Sequence, residues 1–529
     1  MPALSRRDRN ATLAGVLIAL FLGALDQTIV STALPRIVQD LGGVTRYAWV
    51  ATAYLLASTA MVPIYGKLAD VTSRRTIEVW AIGLFLAGSM LCGLAGEFGP
   101  LPVLGDGMTQ LIVFRALQGI GGAGLFAMAF IVIADLFPPA ERGKYQGLIG
   151  AAFGIASVVG PLLGGLLTDH ADGWIPGVAG WRWVFYVNVP FGAIALWFVI
   201  RRMPALEPAE RGRVDLVAAA LLVSGLVPLL LALQLDKQAY PWTGVVTLGL
   251  LAAGAVLLVG FGVRTARSSD PLLDLGLFRL RIFSASVAAL FFYGAAFLSL
   301  VIFLPLYLVN VLGVSATSAG AALIPLSMGV VFGATVSGQL VSRLGTYKAF
   351  MVGGGLVLLA GMFGLTRLAV DTPFGVVIAL SAVCGLGVGP TLPLFPLAVQ
   401  NAVDVRRLGQ ATSATQFFRQ IGGAVGTAAL GSVLALSLVT ALGPDAGVRA
   451  GPEPGARAVE AGLPPLPVRE AYAEATRRLY TLALGFGVAG WALTLLVPSL
   501  PLRRTFEPDA GRGQEVGPPE SETAVAVEA

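Results

Sequence analysis

Two charges stand where charge is expensive. Asp26 lies in Leu25-Asp26-Gln27-Thr28-Ile29-Val30-Ser31-Thr32, inside the first long apolar run, and Arg115 lies in Phe114-Arg115-Ala116-Leu117-Gln118-Gly119, inside the fourth. An ionised side chain at the centre of a bilayer costs about 3 kcal/mol or more, so it pairs with a counter-charge, with carbonyls, or lines a wet path. Asp26 is roughly 21 Å along its helix from one surface, and Arg115 roughly 28 Å along its own from the same surface. Tilt can bring them level. The plain reading of such a pair is a static salt bridge. The functional one is reversible protonation: an ionised Asp26 needs Arg115, and a protonated one does not. Gln27 and Gln118 flank the pair and, with Asp26, are candidate contacts for a solute. Arg419, two residues before Ile421-Gly422-Gly423, either snorkels to the inner surface or joins that solute site.

Other chemistry finds little support. There is one histidine, His170, and there are two cysteines, Cys92 and Cys384, in separate apolar runs. No His-based metal site follows, no catalytic cluster, and no nucleotide-binding string such as GxxxxGK[ST]. The chain is read as a protein other than an enzyme, with no metal and no cofactor.

The elements that position these residues are apolar runs. Of the 529 residues 56% are hydrophobic and 12% charged, with mean hydropathy +0.81, while soluble domains carry roughly twice that charge. Runs long enough to cross a bilayer fall near 12–34, 47–69, 77–97, 109–133, 147–168, 184–200, 214–234, 243–263, 282–309, 319–341, 349–368, 374–398, 410–438 and 479–499. That is an all-α, multi-pass membrane protein with fourteen spans. The net +5 sits in short loops, which excludes a nucleic-acid surface. Arginine and lysine crowd alternate loops, including Arg6-Arg7, Arg74-Arg75, Arg201-Arg202, Arg406-Arg407 and Arg503-Arg504. By the positive-inside rule those loops and both termini are cytoplasmic. The connection 440–478 then lies outside, and its end, Val468–Arg478, reads as a short surface helix. Residues 506–529 are polar, acidic and rich in Gly and Pro, and are expected to be disordered.

The runs repeat. Setting Gly143 on Gly409 also sets Gly160 on Gly426, Gly165 on Gly431, Gly119 on Gly385 and Gly121 on Gly387. At a nearby shift Gly66-Lys-Leu-Ala-Asp70 falls on Gly338-Gln-Leu-Val-Ser342. Two six-helix halves, 1–202 and 281–505, follow from the repeat, joined by a linker, 203–280, that carries two inserted spans.

Five strings carry a resemblance. Gly154-(x)5-Gly160-Pro161-Leu-Leu-Gly164-Gly165 resembles the antiporter motif of the fourteen-helix drug:proton antiporters of the major facilitator superfamily. Gly66-Lys-Leu-Ala-Asp70-Val-Thr-Ser-Arg74-Arg75 resembles that superfamily's signature loop, with Val71 in place of a basic residue. The strings around Asp26 and Arg115, and Trp181-Arg-Trp-Val-Phe-Tyr-Val-Asn188-Val-Pro190, resemble others of the same group. The resemblance implies the major facilitator fold and a monomer of the inner (cytoplasmic) membrane. It implies proton-driven export of apolar or cationic small molecules by alternating access. An exporter of an endogenous lipid, siderophore or antibiotic is the alternative. It makes the fifth span a pliable wall between the halves. It also makes Gly66, Asp70, Arg74, Arg75 and Asp135 a gate, in which Asp70 caps a helix of the other half.

The topology is open to a direct check. A cysteine placed in 440–478 should react with an impermeant maleimide on intact cells, and one after Arg504 should not. Labelling of both from outside contradicts fourteen spans.

Overall fold

The computed structural model describes residues 5–43, 46–102, 104–205, 212–235, 237, 239–442 and 465–504. The tail 506–529 and most of the 440–478 connection therefore lie outside the described residues. Fourteen helices are long and apolar enough to cross a membrane. The first six are α1 (Arg6–Leu41), α2 (Tyr47–Val71), α3 (Arg74–Gly93), α4 (Gly107–Leu136), α5 (Pro139–His170) and α6 (Gly180–Arg202). Then come α7 (Leu216–Gln234) and α8 (Val245–Arg267). The last six are α9 (Arg281–Asn310), α10 (Ser318–Leu344), α11 (Lys348–Leu365), α12 (Phe374–Ala402), α13 (Leu408–Leu442) and α14 (Leu466–Leu496). There is no strand among the described residues, only an isolated bridge between Leu101 and Gly105.

Local chemistry sets several boundaries. Ser5 accepts from Asp8 N–H, and its hydroxyl donates to the Asp8 carboxylate, a reciprocal cap that starts α1. Asp106 starts α4 by accepting from Thr109 N–H. Arg46, just before α2, donates to the same carboxylate. Bonding to Arg46 first, and to Thr109 second, holds the Asp106 carboxyl well below the usual carboxylate range. Gly345 ends α10 in the left-handed region at φ +73°.

Val468–Arg478 does not form a separate surface helix. It is the first part of α14, which runs unbroken from Leu466 to Leu496. The segment has no helix breaker, and its Tyr472, Ala475 and Leu479 are buried against the second half. The inserted helices α7 and α8 pack on each other and at the edge of the bundle, touching α2 and α13. Arg264 bonds Asp215 at 2.8 Å, and Trp242 Nε1 donates to Ser432 Oγ at 2.9 Å. The outer face of α8 is bare hydrocarbon, with Val245 88% exposed, as a lipid-facing helix requires.

Three pairs of the glycine repeat make matching contacts in the two halves. A side chain on Gly119 would run into the Tyr54 backbone of α2, and one on Gly385 into the Leu326 backbone of α10. Gly121 seats α4 on Phe85 of α3, and Gly387 seats α12 on Leu358 of α11. Gly160 seats α5 on Thr28 of α1, and Gly426 seats α13 on Ala295 of α9. Small residues let these backbones close, since lipid supplies no hydrophobic drive for helix association.

The same contacts redraw the fifth helix. Gly160 and Gly164 face Thr28, Ile29 and Thr32 of α1, in their own half. Gly165 faces open space within 4 Å. The halves meet lower on α5, where Gly143, Gly147, Gly150 and Gly154 lie against α10. So α5 has two jobs along its length: it meets the other half first and α1 second. Gly160→Leu and Gly426→Leu should each destabilise the detergent-solubilised protein by about 1–3 kcal/mol, the cost of overpacking. Gly165→Leu should leave the unfolding midpoint unchanged. Equal losses in all three would remove the packing account.

Candidate functional site

Asp26 is fully buried, 0% exposed, and Arg115 is 2% exposed. Arg115 Nη1 donates to Asp26 Oδ2 at 2.6 Å. The other carboxylate oxygen has two donors of its own. Gln118 Nε2 donates to Asp26 Oδ1 at 2.8 Å, and Asn188 Nδ2 donates to the same oxygen at 3.1 Å. Arg115 donates further to Gln118 Oε1 at 2.7 Å and to the Val50 carbonyl at 3.2 Å. Its guanidinium lies 4.4 Å from the Tyr54 ring centroid. Asn188 also donates to Ser89 Oγ at 2.9 Å. Five helices thus join one network around the carboxylate: α4 and α6 bond Asp26 of α1 directly, and α2 and α3 join through Arg115 and Asn188. Each added donor lowers the cost of keeping the ion pair away from water.

Gln27, the next residue, faces the other way. It lines a cavity of about 170 Å³ between the halves, with Phe126, Phe153, Tyr293, Arg419 and Gln420 among its walls. A neighbouring space of about 70 Å³ shares Phe153 and Arg419. Phe126 and Phe153 pack with ring centroids 5.2 Å apart. Neither space has an Asp or Glu in its wall.

On the face that carries both termini the halves are clamped. Asp70 Oδ1 accepts from Gly409 N–H at 2.7 Å, and Oδ2 from Gln410 N–H at 2.9 Å. These are among the free donors that open α13, so the carboxylate meets the positive end of a helix dipole. Gly66 permits the approach: a Cβ there would sit 2.8 Å from the Gly409 carbonyl. The pseudo-symmetric contact exists too. Gly143 lies against Gly338, and Lys144 N–H donates to Ser342 Oγ at 3.0 Å. One clamp is charged and its twin is neutral.

Around the charged clamp, Arg74 bonds Asp135 at 2.9 Å. Arg75 stays out of that pair and donates to the Ile200 carbonyl. Lys67 pairs with Asp270 of the linker ahead of α9. Arg142 caps the end of α4, donating to the Ala134 and Phe137 carbonyls at 2.8 and 2.9 Å. An amide relay crosses the seam as well. Gln146 Nε2 donates to Gln400 Oε1 at 2.9 Å, and Gln400 Nε2 to Thr412 Oγ1 at 3.1 Å. Toward the other face Gly160 and Gly164 of α5 pack on α1, and Gly422 and Gly426 of α13 pack on α9.

With this geometry in hand, the comparisons are decisive for the family. The family profile described as Major Facilitator Superfamily matches residues 16–427. The chain belongs to the Major Facilitator Superfamily. It is 39% identical over 426 residues to the "Multidrug transporter protein MdtP" of Bacillus subtilis, covering 80% of this chain and 75% of that one. It is 36% identical over 419 residues to "Multidrug resistance protein 3" of the same organism, covering 79% and 78%. Among solved structures, the proton:xylose symporter XylE shares the fold, with a TM-score of 0.59 at 13% identity over 93% of this chain and 96% of that one.

Within this superfamily member, the sequence-derived candidates separate into groups. Asp26, Arg115 and Gln118 form one buried cluster. Gln27 and Arg419 line the cavity. Asp26 and Gln118 do not reach it, because their polar atoms are spent on one another and on Arg115. Gly66, Asp70, Arg74 and Asp135 sit together at the clamp, and Arg75 lies beside it. Gly154 touches Val331 of the other half, whereas Gly160 and Gly164 touch α1 and Gly165 touches nothing. Pro161 lies inside α5 between those contacts. Asn188 and Tyr54 were missed as site residues. Asn188 had a signal, since it is a carboxamide inside an apolar run. Glu78 was also missed: it is fully buried four residues after Arg74, and neither carboxyl oxygen has a partner.

Asp70→Asn keeps one acceptor and loses the charge. It should weaken the clamp by about 0.3–2 kcal/mol, the range for a charge at a helix end. A cysteine at Ser413 should then react faster with a thiol reagent in Asp70→Asn than in the parent. Ser342→Ala should change the rate less. An unchanged rate in Asp70→Asn contradicts the clamp.

Proposed function

We propose that this chain is a proton-coupled antiporter that exports apolar or amphipathic small molecules across the inner (cytoplasmic) membrane. The carrying observation is the adjacency of Asp26 and Gln27: one side chain is held by Arg115, and its neighbour lines the cavity between the halves. The relatives named as multidrug transporters support export of small molecules. Basic-residue asymmetry supports cytoplasmic termini, which makes the clamped face the cytoplasmic one. On this reading the state clamped on the cytoplasmic face is the one that releases substrate and receives a proton.

The two halves, 1–202 and 281–505, rock about the cavity, and the linker 203–280 with its two inserted spans follows them. A proton from outside neutralises Asp26 and frees Arg115 to hold its remaining acceptors, Gln118 and the Val50 carbonyl. That slackens the five-helix junction, and α1 passes the change to α5 through Thr28, whose hydroxyl donates to the Ala156 carbonyl at 3.0 Å. The lower half of α5 lies against α10, so the clamp feels it. Return of the proton to the inside restores the ion pair. The proton gradient is the energy source, no cofactor takes part, and a monomer suffices, because every named part belongs to one chain.

The test uses the full chain in proteoliposomes with an imposed pH gradient and fluorescent amphiphiles of neutral, anionic and cationic charge. The parent should concentrate at least one dye against its gradient. Asp26→Asn should abolish uphill transport while dye binding persists, and Arg115→Ala should abolish it or shift its pH dependence. Uphill transport by Asp26→Asn places the coupling acid elsewhere.

A further inference from the structure

The bundle holds two arginines at depth, and they are treated differently. Arg115 is neutralised by Asp26 and satisfied by a carbonyl, an amide and an aromatic ring. Arg419 has only Gln416, whose Oε1 accepts from Nε at 3.3 Å and Nη2 at 2.9 Å. Among the described residues Nη1 has no hydrogen bond, and no carboxylate lies within ion-pair distance. Arg419 is eleven residues into α13, roughly 16 Å from the start of that helix and so near mid-membrane. It lines both parts of the central cavity and is the only charged residue in their walls.

A lone guanidinium at that depth is costly, and such residues are kept where a partner or a water-filled path answers them. Here the partner is missing and the cavity is present. The rest of the wall has the composition of a site for an amphipathic body: Phe126, Phe153 and Phe297 offer apolar area, while Gln27, Gln420 and Thr391 offer neutral hydrogen-bonding groups. Aromatic faces alone can receive a cation, but a fixed positive charge in the same wall repels one. Asp26 cannot offset it, being turned away from the cavity and already paired.

We infer that the central cavity is selective for organic anions, and that Arg419 Nη1 binds their carboxylate, sulfonate or phenolate head while the phenylalanines hold an aromatic or aliphatic body. This rests on the reading of that cavity as the export site, and it replaces the cationic half of the substrate class expected from resemblance. It has an electrical consequence. Exchanging a monoanion outward for one proton inward moves two positive equivalents inward, so an interior-negative potential drives export even without a pH gradient. Exchanging a monovalent cation for one proton moves none.

The experiment uses a matched pair of probes: 1-anilinonaphthalene-8-sulfonate and N-phenyl-1-naphthylamine, the same rings with and without the sulfonate. Ethidium is the cationic control. Binding is read by fluorescence on the purified full chain, with Phe153→Trp as a cavity-blocked background. The parent should bind the sulfonate about 10- to 100-fold more tightly than its neutral twin, the range for a hydrogen bond to a charged group. Arg419→Gln should bring that ratio close to one, and Arg419→Lys should restore most of it. Arg419→Gln should unfold at the same temperature as the parent or higher, because it removes an uncompensated charge, whereas an arginine with a purely structural role would lower it. Cavity binding of both naphthalenes with equal affinity, tighter binding of ethidium, or a charge preference that survives in Arg419→Gln overturns the anion assignment and leaves the export reading standing. Binding of all three probes that the Phe153→Trp block does not reduce removes the cavity as the site and takes both readings down.

Discussion

A membrane interior tolerates no unanswered charge, and the first half of this protein is built around answering one. Asp26 receives a guanidinium and two amides, drawn from two other helices, α4 and α6. Arg115 in turn reaches a carbonyl of α2 and a ring of α2. Removing any one of these donors leaves the others short. In the proposed mechanism that interdependence makes the junction a two-state element: either the carboxylate is ionised and the helices are drawn together, or it is protonated and the reason for their convergence is gone. A proton can therefore act on helix packing without any large local rearrangement.

The second constraint is close backbone approach. Glycine pairs let α2 meet α13 and α5 meet α10 at the face bearing the termini, in two contacts related by the internal repeat. The pairs are alike in shape and unlike in charge. Asp70 offers two charged acceptors to the start of α13, and Ser342 offers one neutral hydroxyl to α5. A rocking interface with one strong and one weak seam can open from the weak side first. The uncharged seam belongs to α5, tied to α1 by Thr28's bond, and the charged seam to α2, which Arg115 meets directly at the Val50 carbonyl and the Tyr54 ring.

Much of this was legible in the sequence, for physical reasons. Bilayer thickness fixes span length, so fourteen apolar runs become fourteen helices among the described residues, with ends displaced by eight residues or fewer except at the start of α14, which begins at Leu466 rather than near 479. Charge at depth singles out Asp26 and Arg115, and the glycine repeat singles out the seams. What the sequence hid is direction. Spacing alone does not say which side of α5 each glycine presents: Gly160 and Gly164 of the expected wall between the halves turn to α1 instead. Nor does it say that Asp26 turns away from the cavity while Gln27 turns into it, because consecutive helical residues sit about 100° apart and the orientation of α1 depends on packing. Arg75 shows the same limit, since adjacent arginines in one loop take separate partners. Val468–Arg478 misled through composition: charged residues suggested a surface helix, but the segment's apolar side packs on the second half.

The central claim is that one carboxylate, Asp26, binds the coupling proton in competition with occupation of the cavity. Proton release on ligand binding tests this without transport, lipid or orientation. The purified chain is placed in weakly buffered detergent solution, and a pH-sensitive dye follows the addition of 1-anilinonaphthalene-8-sulfonate across a range of starting pH. The parent should release up to about one proton per bound ligand by linkage, at a pH where Asp26 begins protonated, and Asp26→Asn should bind and release none. The same release from Asp26→Asn would contradict the account.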